Sequence, residues 1–144
     1  MGRLQPLKNK KKNMDIFAAF ATDEKAENEG KWFPLGKTAK VLVARDGNPA
    51  YVSALRKSLE KNQIDLEGGG PDADYLAETL MVDVMAGNTL LGWEGLSFKG
   101  KDVAYSVEMA KTLLRVKDFR KKIAGFAANF EAFRVKAEAE QGNA

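Results

Sequence analysis

The 144-residue chain has no cysteine and no histidine. The first absence excludes disulfides and thiol catalysis and fits a reducing compartment. The second removes the commonest general acid–base and the commonest metal ligand, so a zinc site would need carboxylates alone. No apolar run reaches the roughly 18 residues of a membrane-spanning helix. None follows the basic N-terminus as the apolar core of a secretory signal would. Ser53, Ser58, Ser97 and Ser106 lack a nucleophile-elbow context. No carboxylate pair stands at a spacing suited to acid–base work, and no acidic run matches a calcium loop. Gly68-Gly69-Gly70-Pro71 is not followed by the Gly-Lys-Ser/Thr of a phosphate-binding loop, and it is read as a flexible link. Aromatic residues are not interleaved with basic ones as in an RNA-binding sheet. The expectation is a protein that is not an enzyme, with no catalytic residue, no metal, no cofactor, no membrane segment and no nucleic-acid partner.

What is present is an ordinary globular composition with an uneven charge. Arg3, Lys8, Lys10, Lys11 and Lys12 fall in residues 1–13 without an acid, so the formal +3 of the chain becomes −2 for the rest. Residues 1–13 are read as a basic flexible leader, and 14–144 as one domain large enough for a real core. An electrostatic contact with RNA or a protein is the functional reading of the leader. A solvated leader, or an extension upstream of an initiator at Met14, is the reading preferred here.

The fold class expected is α+β: a mostly helical single domain of about four to five helices with an N-terminal β-hairpin. Met14 to Ala21 is a short amphipathic segment that Asp15 can cap, and Thr22 to Gly30 reads as a loop or frayed helix. Trp32 to Leu35 and Ala39 to Arg45 alternate as a hairpin, with Pro34 marking an edge strand. Asn48-Pro49 starts a helix that Asn62 suits as an exit. Asp72 can cap a long helix through about Leu91, after which Gly92-Trp93-Glu94-Gly95 turns the chain and folds Trp93 over the helix end. Leu96 to Tyr105 is either a second short hairpin or a loop laid on the core. Ser106 caps the next helix, with Glu108 in its first turn.

The last helix is expected from Asp118 to about Gln141. Phe119, Ile123, Phe126, Phe130, Phe133 and Ala137 follow at spacings of 4, 3, 4, 3 and 4. Burying a Phe contributes roughly 1.5–3 kcal/mol, so this seam must meet either the chain's own core or a partner. With Met adaptable at promiscuous surfaces, the candidate partner-binding residues are Phe126, Phe130, Phe133, Met81, Met85 and Trp93. Replacing Phe130 and Phe133 by Asp is expected to abolish binding, and unfolding instead would mark the seam as core.

Four stretches carry a resemblance: Met14-Asp15-Ile16-Phe17, Leu42-Val43-Ala44-Arg45-Asp46-Gly47-Asn48, Leu90-Leu91-Gly92-Trp93-Glu94-Gly95, and Tyr105-Ser106-Val107-Glu108 with Ala110, Leu113 and Leu114 beyond. In this order and at these intervals the chain, from about Met14 to Gln141, resembles tail assembly chaperones of long-tailed bacteriophages. Met109 departs from the polar residue expected there, and residues 1–13 lie outside the match. The resemblance implies a small non-catalytic protein of the host cell cytoplasm, absent from the mature virion. It implies binding to the tape-measure protein, keeping that protein soluble while tail-tube protein assembles round it. A frameshift-extended form of the same chain and a homo-oligomer are the further partners it brings. The alternative is a structural tail or connector subunit of the particle.

Overall fold

The computed structural model describes residues 13–135; residues 1–12 of the expected leader, and 136–144 with Ala137 of the seam, lie outside it. Among the described residues seven helices and five short strands form one α+β domain, the class the sequence pattern predicts, with more helices than the four to five expected. In order they are α1 (Ile16–Phe20), α2 (Glu24–Glu29), β1 (Lys31–Leu35), β2 (Ala39–Val43), α3 (Pro49–Glu67), α4 (Gly70–Met85), β3 (Leu90–Glu94), β4 (Ser97–Phe98), β5 (Lys101–Asp102), α5 (Val107–Leu114), α6 (Lys117–Ala127) and α7 (Phe130–Phe133).

The first three strands make an antiparallel sheet in the order β1-β2-β3. The predicted hairpin is β1–β2, and the Pro34 strand is an edge. Phe33 pairs with Val41, and Val41 with Trp93, so one face of the sheet carries three buried apolar side chains side by side. A bulge between Leu42 and Val43 shifts the register so that Val43 pairs with Leu90 and keeps the next apolar pair on the core side. The end of α4, all of α5 and the middle of α6 cover that face with Val82, Met85, Ala110, Leu113, Leu114 and Ile123. The second hairpin is present as β4–β5.

Local caps sit where the sequence puts them. Asp15 accepts from Phe17 N, Asn48 from Tyr51 N and Ser106 from Met109 N, at 3.1, 3.1 and 3.0 Å. The differences from expectation have physical causes. Of the two readings of Thr22 to Gly30, the helical one holds: Asp23 caps α2, accepting from Ala26 N at 3.2 Å. The α3 helix passes Asn62 because the Asn62 amide folds back onto Ser58 O at 2.8 Å and leaves the ladder intact. The α4 helix starts at Gly70 without a side-chain cap, and it stops at Met85 rather than Leu91. Gly87 takes a φ of +87° there, and the Asn88 side chain donates to Val84 O at 2.9 Å. Leu90 and Leu91 therefore open a strand, and Trp93 lies in the sheet instead of over a helix end.

The last expected helix is interrupted at Ala128 and Asn129. Ala127 O accepts Asp46 N at 2.8 Å and Arg45 Nη1 at 3.1 Å, so tertiary donors take a carbonyl the helix would have used for its next turn. Asn129 then caps α7, accepting from Ala132 N at 3.3 Å.

Candidate partner-binding surface

The redirected C-terminal segment sorts the seam into dry and wet parts. Phe133 is buried against Phe33, with ring centroids 6.1 Å apart. Phe126 is half-buried and stacked on the same Phe33 at 4.6 Å. Met85 and Trp93 are buried as well. Three of the six candidates, Phe133, Met85 and Trp93, are thus core residues in this fold rather than surface ones. The cause for Trp93 is its strand position: Nε1 donates to Val103 O at 2.9 Å, and Tyr105 packs edge-on at 4.8 Å. Phe126, Phe130 and Met81 keep solvent-facing area.

Phe130 marks the apolar surface. It meets Phe20 of α1 at 5.5 Å. The backbone fixes α1 beside α7 through Val135 N to Ala21 O and Asp23 N to Phe133 O, both 2.8 Å. Yet α1 buries none of its residues: Ile16, Phe17 and Phe20 are 63, 81 and 55% exposed. Positions 16 and 20, and 17 and 20, lie on one helical face. Met14 and Val135, which flank α1 and α7 in the chain, are exposed as well. Single exposed apolar side chains are ordinary, but a clustered aromatic face of this kind is the candidate for a contact surface. The sequence signal was a segment too short to bury its own apolar face.

Met81 and Met85 meet at a second feature, a slot of about 210 Å³ lined also by Tyr51, Ala124 and Ala127. It stays open because α6 presents alanine at both positions facing it. Tyr51 hydroxyl approaches Met81 sulfur at 3.5 Å. Burial, and then the Asp46 carboxylate, raise the Tyr51 pKa, so the phenol is neutral and a donor. No apolar residue on α6 signals this slot in the sequence.

Among the described residues no three acidic side chains gather as metal donors. No helix there is long and apolar enough to cross a membrane. The stretches behind the phage resemblance do structural work: Arg45 and Asn48 tie β2 to α2, α3 and α6, and Trp93 and Tyr105 hold the second hairpin on the sheet.

Fold and surface together define a single-domain α+β protein with an uncovered aromatic helix face. The chain belongs to the YdaY prophage protein family, whose sequence model matches residues 46–143, and it is a phage-derived protein. No curated protein and no solved structure matches it.

Proposed function

We propose that this chain is a non-catalytic tail assembly chaperone that holds the phage tape-measure protein soluble in the host cytoplasm until tail-tube protein assembles round it. The observation that carries the reading is the wet aromatic face of α1 with Phe130 beside it. A long, apolar client made of amphipathic helices is bound by many weak contacts, and a shallow aromatic face supplies one per turn of helix. The Met81 slot offers a second point for a client side chain, and Met there tolerates varied shapes. Membership of a prophage family and the four-part sequence resemblance support the reading that such a client is encoded by the same phage.

Co-expression with the tape-measure protein of the same phage tests the reading, scored by client solubility and co-purification. A soluble complex supports it. An insoluble client, with this protein eluting alone or as a ring, sinks it. Ring formation, with the chain found by mass spectrometry in purified particles, would point to a structural tail or connector subunit.

A further inference from the structure

A different surface points to a different partner. The α3 helix is 19 residues long, yet none of its residues is buried. At 1.5 Å per residue it spans about 28 Å. In α4, only Ala73 is buried before Val82. The distal parts of both helices therefore form a two-helix arm anchored at one end. There Asn48 donates to Arg45 O and Asn88 O, both at 2.9 Å. Along α3, Arg56, Leu59, Glu60, Gln63, Leu66 and Glu67 line a shallow cleft of about 350 Å³.

Charge is divided along this arm. Near the body Arg56, Lys57 and Lys61 outnumber Glu60; toward the tip Asp65, Glu67, Asp72 and Asp74 follow with no cation among them. None of the α3 charges is in an ion pair among the described residues, and Glu67 only accepts from Gln63 at 3.0 Å.

We infer that the outer face of α3 is the contact of a homodimer in which two arms lie antiparallel as a four-helix bundle. The occupant is a second copy because one patch holds both complements. A two-fold interface sets each residue against its counterpart twice, so a cleft with Arg56 at one end and Glu67 at the other pairs with itself. Antiparallel alignment brings Arg56 to the partner's Glu67 at both ends, with Leu59 and Leu66 between them. Parallel alignment sets acidic tip on acidic tip. A uniformly basic foreign helix would fit the tip and be repelled at the base. The face is small for a specific interface, so the dimer is weak, with a Kd on the order of micromolar, and it loosens with salt.

Sedimentation equilibrium of the full chain over a concentration series tests this. The mass is expected to rise from 15.8 kDa toward twice that value, less so at high salt. Arg56→Glu and Glu67→Arg should each hold the chain monomeric where the parent is dimeric. The combined variant R56E/E67R should restore the dimer. Unchanged circular dichroism would show that the single variants are folded; Leu59→Ser, which leaves every charge in place, should weaken the dimer in the same way. A parent chain monomeric up to about 1 mM would overturn the proposal. So would a dimer that survives both single variants, or one the combined variant fails to recover. The aromatic face of α1 takes no part in this contact, so client binding and self-association fail independently.

Discussion

Arg45 ties the end of β2 to α2, α6 and α7. Its guanidinium lies 3.5 Å from Glu27 of α2, donates to Ala127 O at 3.1 Å, and sits over the Phe133 ring at 5.7 Å. Its backbone N–H donates to Glu27 O at 2.9 Å. One side chain therefore holds α2 in place and ends α6. Arg45→Met should cost about 2–4 kcal/mol, since a charged hydrogen bond and a cation–ring contact go together. Urea unfolding would measure it, and Arg45→Lys should recover only part because an ammonium cannot serve two directions as the fork does. Tyr105 shows the other polar device. Its hydroxyl donates to Leu90 O at 2.7 Å. Burial raises its pKa above 10.0, while the nearby Gly87 N–H acts in the opposite direction. A raised folded-state pKa means that the native state binds its proton more tightly than the unfolded chain. Its share of stability is complete below pH 10.0 and is lost as pH rises through the folded value. Unfolding curves above that pH should therefore fall more steeply in the parent than in Tyr105→Phe, while at neutral pH the variant is weaker by about 1 kcal/mol. Equal alkaline slopes would show that the hydroxyl is not held as described.

The elements that were legible in the sequence are those whose signals are local. Asp15, Asn48 and Ser106 cap helices within three residues of themselves, and Pro34 announces an edge strand by its missing N–H. The elements that were not legible depend on distant groups. Leu90 and Leu91 extend the apolar stripe of α4, so nothing in the pattern separates helix from strand; the separation comes from Gly87 and from pairing of β3 with β2. Gly95, at φ +78°, is bound to that same pairing: a Cβ there would lie 2.9 Å from Thr38 O. The seam from Phe119 to Phe133 is unbroken in spacing, yet Asp46 and Arg45, more than 80 residues earlier, take the carbonyl at which α6 stops. The apolar character of the candidate site was thus readable, but which of its side chains are wet was not. Phe133 is dry and Phe130 half-wet because of a turn set by residues far away in the chain. That turn carries its own prediction. Asn129→Ala removes the cap of α7 and should cost about 1 kcal/mol. It should not let α6 run on, since Ala127 O keeps its two tertiary donors. Unchanged helical circular dichroism with a lowered melting temperature would bear this out, and a gain in helix would contradict it.

At the scale of the molecule, buried and exposed aromatic side chains are divided between the core and α1. The core is one face of a small sheet with α4, α5 and α6 against it, and its buried aromatic residues are Phe33, Trp93 and Phe133. The exposed aromatic residues of α1 lie outside that core and contribute little to it: Phe17 stays 81% exposed. Burial of a Phe side chain is worth about 1.5–3 kcal/mol when complete, so Phe133 carries that much and Phe17 very little. The two should therefore respond oppositely to the same change. Phe133→Asp puts a carboxylate into an apolar site beneath Phe33 and is expected to unfold the chain or leave it insoluble. Phe17→Asp should leave the melting temperature within about 0.5 kcal/mol equivalent of the parent. In co-expression the Phe17 variant should fold, purify alone and lose the tape-measure client. The informative comparison is a Val52→Asp variant, the same charge placed at an exposed apolar residue of α3 instead. If that variant keeps the client while Phe17→Asp loses it, binding belongs to the α1 face. If both keep it, the contact lies elsewhere and the aromatic face has no part in holding the client.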